Sequence, residues 1–340
     1  MRHAIAIATA ATLALLAAPS LAQDFRSTPG EGRILIEEWT VPWQDTRPRD
    51  PYTADGDTIW FVGQRDDYLG RFDVATQEFE RIEMPGGAGP HNVVTDADGA
   101  PWYAGNRDAH ISRYDAEAGT FDRIDMPDGH PRDPHTMIFD DDGDLWFNSQ
   151  GANTISVLRM ADRSVHTLEV PTPDARPYAT RIAPDGTVWV VLLGTNKLAS
   201  VDPETMALTE HVMPREDARP RRLDVTADGR VWYVDFAEGH LGVYDPASDS
   251  FREWQSPSGA DSRPYAMVTD DNGMAWYVET GPSPNLFIGF DMRQERFVSS
   301  TPVPSGGGVV RHMDYYAPDG VVWFGADTNT IGRALVNPPE

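Results

Sequence analysis

Histidine recurs at one place in a repeated sequence pattern. His91 and His135 each directly follow a proline, and His312 stands at the corresponding place near the end of the chain. An imidazole can act as a general base or bind a divalent metal ion, and a neighbouring carboxylate can orient it or complete a metal site. The spacing therefore predicts a polar centre built from several repeats, with Asp133 and Asp327 as candidate carboxylates.

The repeats that carry these histidines are marked by tryptophan and proline. Seven tryptophans share one frame, namely Trp60, Trp102, Trp146, Trp189, Trp232, Trp276 and Trp323. A proline lies twelve residues before each of the first six, and Arg311 takes that place in the seventh. Between them comes an alternating apolar run that in most repeats leads into Asp-Gly or Asn-Gly, which favours a tight hairpin turn. Two more strand-like runs complete each repeat of roughly 43 residues, which is typical of a four-stranded β-propeller blade.

The first and last repeats are incomplete in complementary ways. The seventh repeat lacks a fourth strand, whereas residues 34–42 have the pattern of a fourth strand with no first three before it. We expect this N-terminal strand to complete the last blade, because closure removes a sheet edge that would otherwise be free to pair. The sequence thus predicts an all-β, seven-bladed β-propeller with four-stranded blades, forming a single domain over residues 23–340.

A two-residue hairpin turn would fix which residues lie opposite each other at the open end of each hairpin. In the third repeat, His135 and Gln150 are equally far from the predicted turn at Asp142-Gly143. Since the first strand of a propeller blade lines the central channel, the residue after each proline is predicted to ring the channel mouth. The seven ring residues are Arg49, His91, His135, Tyr178, Arg221, Tyr265 and His312. Their predicted partners are Gln64, Asn106, Gln150, Leu193, Phe236, Thr280 and Asp327.

This ring predicts a ligand pocket, because a concave site with apolar walls and a few convergent polar groups is the usual form of one. The candidate catalytic residues are His312 and His135 as bases and Arg49 as the group that stabilises developing negative charge. The candidate substrate-binding residues are Gln64, Asn106, Gln150, Tyr178, Arg221 and Tyr265. The candidate ligands for a divalent metal such as Mg²⁺ are His91, Asp133, His135 and Asp327. Alternatively, each histidine only caps its strand and hydrogen-bonds a neighbouring loop.

Acidic residues cluster at the opposite end of the third hairpin. Asp140, Asp141, Asp142 and Asp144 surround its turn, and other repeats also place Asp, Asn or Pro there. Asp stabilises tight turns through hydrogen bonds to its own backbone, so we interpret these residues as turn formers. A surface calcium site is the alternative, since clustered carboxylate oxygens suit that ion.

The first 22 residues have the features of a secretory signal peptide. Arg2 and His3 form a basic segment, residues 4–18 are apolar, and Ser20-Leu21-Ala22 supplies a cleavage signal before Gln23. No later run approaches the ~20 apolar residues that a transmembrane helix needs. We therefore expect a periplasmic or secreted protein with no membrane insertion.

Composition narrows the classes of partner. The chain has 340 residues, a formal charge of −25, and no cysteine. Nucleic-acid binding depends on clustered Lys and Arg, so this charge argues against a nucleic-acid partner. The motifs of serine hydrolases, zincins and phosphate-binding loops are absent from the sequence. A small-molecule ligand or substrate is the expected partner, and a protein partner is the alternative.

The repeat units "RPYATRIAPDGTVWVV" and "PDGVVWFGADTNTIGRALV" resemble those of the virginiamycin B lyase (streptogramin lyase) family. The resemblance spans about residues 34–336 and implies a seven-bladed propeller. In that family's lyases, a magnesium ion and a general-base histidine at the channel mouth open a cyclic depsipeptide by elimination. The resemblance implies His312 as the base and Asp327 at the last metal-ligand position.

Two positions depart from the family's pattern. Tyr265 stands where the family has a ligand histidine, and Val310 where it has a glutamate. Losing two donors weakens a site for a hard cation. Blades two and three carry part of the family's pattern, namely His91, Asp133, His135 and Gln150. This similarity predicts that the site has moved around the ring to these blades.

Two functions of different classes follow from these observations. The first is a metal-dependent lyase or hydrolase that acts on an ester or lactone at the channel mouth. The second is a non-catalytic propeller that binds a peptide, glycan or protein partner.

Overall fold

Alternating apolar residues between each proline and tryptophan form pairs of antiparallel strands around a central channel. The computed structural model describes residues 24–26, 33–127, 129 and 133–337, so the predicted signal peptide lies outside the described residues. Their strands form seven antiparallel sheets, which confirms the predicted seven-bladed propeller. No helix in the described part of the chain has the length and apolarity that crossing a membrane requires.

Each blade is built from consecutive strands, the first lying innermost. Blade 1 contains β3 (Pro48–Tyr52), β4 (Thr58–Gly63), β5 (Tyr68–Asp73) and β6 (Phe79–Glu83). Blade 2 contains β7 (Pro90–Thr95), β8 (Pro101–Gly105), β9 (His110–Asp115) and β10 (Thr120–Asp125). Blade 3 contains β11 (Pro134–Phe139), β12 (Leu145–Ser149), β13 (Thr154–Arg159) and β14 (Ser164–Glu169). Blade 4 contains β15 (Pro177–Ile182), β16 (Val188–Leu192), β17 (Lys197–Val201) and β18 (Leu208–Val212).

The remaining blades follow the same plan. Blade 5 contains β19 (Pro220–Val225), β20 (Val231–Asp235), β21 (His240–Asp245) and β22 (Ser250–Gln255). Blade 6 contains β23 (Pro264–Thr269), β24 (Met274–Glu279), β25 (Leu286–Asp291) and β26 (Arg296–Pro302). Blade 7 contains β27 (Val310–Tyr316), β28 (Val321–Ala326) and β29 (Thr330–Leu335). Short 3-10 helices span Gly259–Ser262 and Ala317–Asp319.

The N-terminal strand completes the last blade, as predicted. Strand β2 (Leu35–Thr40) pairs antiparallel with β29, and β1 (Asp24–Arg26) adds a fifth strand outside it. Glu38 in β2 is buried and accepts hydrogen bonds from the backbone and hydroxyl of Ser305 and from the hydroxyl of Thr330. Blade 7 therefore joins the first repeat-like strand of the propeller, β2, to its last strand, β29.

The apolar core lies between adjacent blades. All seven repeat tryptophans are buried. Trp146 of blade 3 packs in one cluster with Val188 and Val190 of blade 4. At the closure, the rings of Trp39 and Trp323 stack with centroids 6.0 Å apart. Burial between blades fixes the neighbours of every innermost strand and hence the shape of the channel.

The third hairpin turn differs from the prediction by one residue. Asp140 and Asp144 pair through their backbones, so the loop contains three residues, and its last residue, Gly143, has a φ of 83°. Asp140 accepts hydrogen bonds from the backbones of Asp142 and Asp144 and from the indole of Trp146. The acids with these contacts form the turn, as the turn-forming interpretation predicts.

The longer loop changes the register. Pro134 pairs with Ser149, and the register then shifts before Met137 pairs with Phe147. The predicted pairing of His135 with Gln150 is therefore wrong. A β-bulge at this place leaves two consecutive residues of the innermost strand without ladder partners, so both can approach the channel. Similar shifts occur in the first hairpin of every blade.

Candidate functional site

The innermost strands run from one face of the propeller to the other. We call the face where they begin the mouth face. The face where they end, which carries the first hairpin turns, is the turn face. At the mouth face, Arg49 is buried and donates from Nη1 to Nε2 of His91 across 2.8 Å. Its Nε lies 3.4 Å from Oδ1 of Asp50, and Oδ2 of Asp50 accepts a hydrogen bond from the side-chain amide of Asn92. Burial alone would raise the pKa of Asp50, but Arg49, His312 and Arg222 lower it to about 2. Arg49 is thus held by an ionised carboxylate and a neutral imidazole.

The histidines of blades 2 and 3 stack on each other. The ring centroids of His91 and His135 lie 3.5 Å apart, and those of His135 and Tyr178 lie 4.5 Å apart. Burial, and then the charge of Arg49, holds the pKa of both histidines well below the ordinary value. Both imidazoles are therefore neutral near pH 7.

Two tyrosines face each other across the channel. The hydroxyls of Tyr178 and Tyr265 are hydrogen-bonded at 2.5 Å. Burial raises the pKa of Tyr265. Burial acts in the same direction on Tyr178, but the charges of Arg222 and Arg49 and the bond from Tyr265 lower its pKa below the ordinary value. Tyr178 is therefore the more acidic phenol of the pair.

Two arginines of blade 5 flank this pair. The guanidinium carbon of Arg222 lies 5.0 Å from the ring centroid of Tyr178, and that of Arg221 lies 4.8 Å from the ring centroid of Tyr265. Arg222 is buried and donates from Nε to the carbonyl of Arg311. Both of its Nη nitrogens, and Nη2 of Arg49, are buried with no hydrogen-bond partner among the described residues. We refer to Arg49, Arg222, Tyr178 and Tyr265 as the arginine–tyrosine centre.

Blade 7 corrects the assignment of His312 to this ring. Val310, not Arg311, pairs at the place that proline holds in the other blades, because the turn of this hairpin is one residue longer. Arg311 therefore corresponds to His91 and His135, and His312 lies one position further along its strand. His312 lines a cavity that opens on the turn face. Burial is the main cause that lowers its pKa to about 3, so it is a weak base.

The remaining predicted site residues lie outside the arginine–tyrosine centre. Asp133 accepts hydrogen bonds from the backbones of Gly151 and Ala152, and burial raises its pKa. Asp327 pairs with Arg311 and with Arg47.

The three amide side chains that were predicted to bind substrate also lie outside the arginine–tyrosine centre. Gln64 accepts a hydrogen bond from Arg47, and Asn106 donates to the carbonyl of Pro134. Gln150 is half-buried just beyond the end of β12. The structure therefore brings Arg49, His135, Tyr178, Arg221 and Tyr265 together, but leaves these amides at the periphery.

The candidate metal ligands do not fit a divalent cation. Nε2 of His91 faces the guanidinium of Arg49, and the carboxylate of Asp327 faces two further arginines. Within the described ranges, no group of three or more His, Asp, Glu or Cys side chains is arranged to hold a metal ion. Two of the four candidate metal ligands thus face cations of the protein instead of an open site.

Sequence reasoning missed two sets of polar residues. Asp50 and Arg222 lie two places after the proline, where the other blades carry Asn, Thr, Ala or His. Arg181, Asp224 and Asp314 lie opposite the repeat tryptophans, where other blades carry Tyr, Val or Ile. A charged residue in a column of otherwise uncharged side chains was the signal that could have identified them.

These features define a closed seven-bladed β-propeller with a buried polar centre in its channel. The profile of the virginiamycin B lyase family matches residues 34–334. The chain belongs to this family.

Solved structures support the same fold. A streptogramin B lyase superposes with a TM-score of 0.79 at 19% identity, covering 89% of this chain and 97% of that one. A catalytically inactive virginiamycin B lyase from Staphylococcus aureus with quinupristin also gives 0.79 at 19% identity, covering 88% and 98%. Hydrazine synthase from Kuenenia stuttgartiensis gives 0.71 at 15% identity, covering 87% and 98%. A comparison with curated protein sequences gives no match. At these identities the structural likeness establishes the fold.

Proposed function

We propose that this protein binds a small anionic ester or lactone at the arginine–tyrosine centre and cleaves a carbon–oxygen bond as a lyase. The observation that carries the proposal is the buried guanidinium of Arg222, whose two Nη nitrogens have no partner in the described structure and which lies 5.0 Å from the ring of Tyr178. Leaving a buried donor unpaired costs about 1–3 kcal/mol, and more for a charged group. A carboxylate or developing oxyanion of a ligand would remove that cost.

Tyr178 is the proposed base, in place of His135 and His312. The arginines beside it lower its pKa, and Tyr265 can donate to its oxygen when it is ionised. A base works best when its pKa lies near the operating pH, which disfavours the strongly depressed pKa of both histidines. Tyr178, predicted from the sequence to bind substrate, thus takes the role first predicted for histidine.

The proposed reaction is an elimination. The phenolate of Tyr178 removes a proton from the carbon next to a carbonyl or carboxylate. The electron pair forms a carbon–carbon double bond, the ester carbon–oxygen bond breaks, and the acyl group leaves as a carboxylate. Arg222 and Arg49 stabilise the negative charge that develops on the carbonyl oxygen. Arg221, which is half-buried nearer the rim, would hold the part of the ligand that remains outside.

The test is a turnover screen of carboxylate-bearing esters and lactones, cyclic depsipeptides included. We expect Tyr178→Phe to retain binding and lose turnover, Arg222→Met to weaken binding, and the control Tyr114→Phe to behave as the parent. Chelator should leave turnover unchanged. Full turnover by Tyr178→Phe would contradict the assignment of Tyr178 as the base. Saturable binding without turnover of any ester or lactone would favour the non-catalytic propeller that recognises a peptide, glycan or protein.

We also propose that the protein is exported to the periplasm or beyond. The support is the pattern of residues 1–22, with its basic start, apolar middle and small residues before Gln23. Cell fractionation with N-terminal sequencing tests this proposal. A mature chain that begins at Gln23 is expected, and a cytoplasmic chain that retains its first residues would contradict it.

A further inference from the structure

A cavity of about 600 Å³ opens on the turn face, opposite the arginine–tyrosine centre, and the proposed lyase reaction does not use it. His312 lies at its inner end, and Arg181, Asp224 and Asp314 line its wall. This volume is within the range of pockets that hold small molecules. The cavity therefore has room for a ligand of its own.

Arg181, on the inner wall of the cavity, already has a counter-ion. Nε of Arg181 lies 3.3 Å from Oδ1 of Asp224. The other oxygen of Asp224 accepts hydrogen bonds from the backbone and hydroxyl of Thr269, at 2.6 and 2.9 Å. Asp224 thus has a full set of partners, and Arg181 has its counter-ion.

Asp314 has no such counter-ion. Among the described residues, no Lys, Arg or His nitrogen lies within ion-pair distance of its carboxylate. Its side chain is half-buried and lines the cavity. The carboxyl is thus both deep in the fold and open to a ligand.

The groups that face Asp314 come from several blades. Burial is the main cause that raises its pKa to about 7, helped by Asp224 of blade 5 and opposed by Arg181 of blade 4 and a hydrogen bond from the backbone of Thr53. Burial, and then the charge of Asp314, raises the pKa of Tyr52 of blade 1 to about 12, so this phenol stays neutral. The neighbouring imidazole of His312 is also neutral, since its pKa is lowered to about 3.

The cavity as a whole has an excess of negative charge. Five aspartates and three arginines line it. At its rim, Arg230 is paired with Asp228 at 2.7 Å. A wall with more acids than bases repels anions and attracts cations.

We propose that this cavity is a second binding site, specific for a small organic cation whose ammonium group pairs with Asp314. The ammonium supplies the counter-ion that the protein does not, and its alkyl part packs beside Val268 and Ile138 in the same wall. The attraction between a carboxylate and an ammonium is stronger in the low-dielectric interior than at an exposed surface. This site is independent of the proposed lyase reaction.

Isothermal titration of the full mature chain with n-butylamine and 1,4-diaminobutane tests the proposal, with 1-butanol and butyrate as neutral and anionic controls. Saturable binding is expected for the amines alone. If only the ionised carboxyl binds, a pKa of about 7 makes binding roughly tenfold tighter at pH 8 than at pH 6. Titrations in two buffers of different ionisation enthalpy should show one proton released per amine bound near pH 6.

Asp314→Asn is the decisive variant, since it keeps the shape and removes the charge. It should lose the preference for amines and the proton release, whereas Asp141→Asn, at an exposed turn outside the cavity, should keep both. Folding of each variant is checked by its melting temperature. Equal amine binding by Asp314→Asn, binding of butyrate in preference to butylamine, or no saturable binding of either amine at millimolar concentration would each overturn the proposal.

Discussion

Arg49 donates a hydrogen bond from Nη1 to Nε2 of His91 across 2.8 Å, and both side chains are buried. The imidazole lone pair that could bind a metal ion is therefore directed at a cation belonging to the protein. The same arginine neutralises Asp50. One guanidinium thus organises the mouth of the channel.

Arg49→Met should strongly destabilise the fold, because it leaves Asp50 buried without its cation. Breaking a buried pair by removing one partner costs about 3–5 kcal/mol. The control is Arg71→Met, whose ion pair with Glu80 is exposed and is worth less than about 1 kcal/mol. Urea unfolding measures both. A similar small loss in the two variants would contradict the role given to Arg49.

His312 should make the protein sensitive to acid. Its pKa is lowered to about 3 in the folded state, from an ordinary value near 6.5, so the unfolded chain binds the proton first. The contribution of His312 to the free energy of unfolding is fully present above pH 6.5. It is lost as the pH falls toward 3, and the loss is on the order of a few kcal/mol. His312→Gln should flatten this part of the curve of unfolding free energy against pH. The exposed His166→Gln should not, and an equal effect in both would refute the assignment.

Asp314 should make the fold less stable as the pH rises, which is the opposite of the effect of His312. Its pKa is about 7 in the folded state and near 3.8 when unfolded, so its stabilising contribution is present at low pH and is lost as the pH rises toward 7. Asp314→Asn should therefore have a higher Tm than the parent at pH 8 and a similar Tm at pH 4. Thermal unfolding at the two pH values measures this. A lower Tm for the variant at pH 8 would show that the ionised carboxyl is well compensated.

Tyr178 should ionise before Tyr265. Its pKa is lowered by Arg222 and Arg49 despite burial, whereas burial raises the pKa of Tyr265. A titration followed by phenolate absorbance should show one tyrosine that ionises below pH 10. That step should disappear in Tyr178→Phe and shift upward in Arg222→Met. If the step survives in Tyr178→Phe, another tyrosine is responsible.

Asp140 should stabilise the third hairpin without any metal. Asp140→Ala removes acceptors for the backbones of Asp142 and Asp144 and for the indole of Trp146, at about 1 kcal/mol each. The exposed Asp141→Ala should be nearly neutral. Chemical unfolding with and without calcium measures both effects. A clear stabilisation of the parent by calcium would favour the alternative of a surface calcium site.

The architecture was predictable because its signals are local. Period-two alternation, the turn residues and the recurring proline and tryptophan each act within one hairpin, and they indicated seven blades. The missing last strand and the unpartnered residues 34–42 then predicted that β2 closes the ring. For the site, the same frame predicted one mouth for Arg49, His91, His135, Tyr178 and Tyr265, and the structure shows contacts that link these side chains.

The predictions that were wrong or missing concern strand register and side-chain contacts across the channel. The pairing of Val310 with Ala326 shifts His312 away from the ring, and a count of residues from Trp323 could not show the longer turn. Arg222 and Asp314 come from blades 5 and 7 and acquire their roles only from side chains of other blades. The sequence by itself determined the blades and their closure, since local backbone preference and burial specify these. Only the tertiary structure decided which charges meet inside the channel, because that depends on bulges and on the packing of all seven blades around one axis.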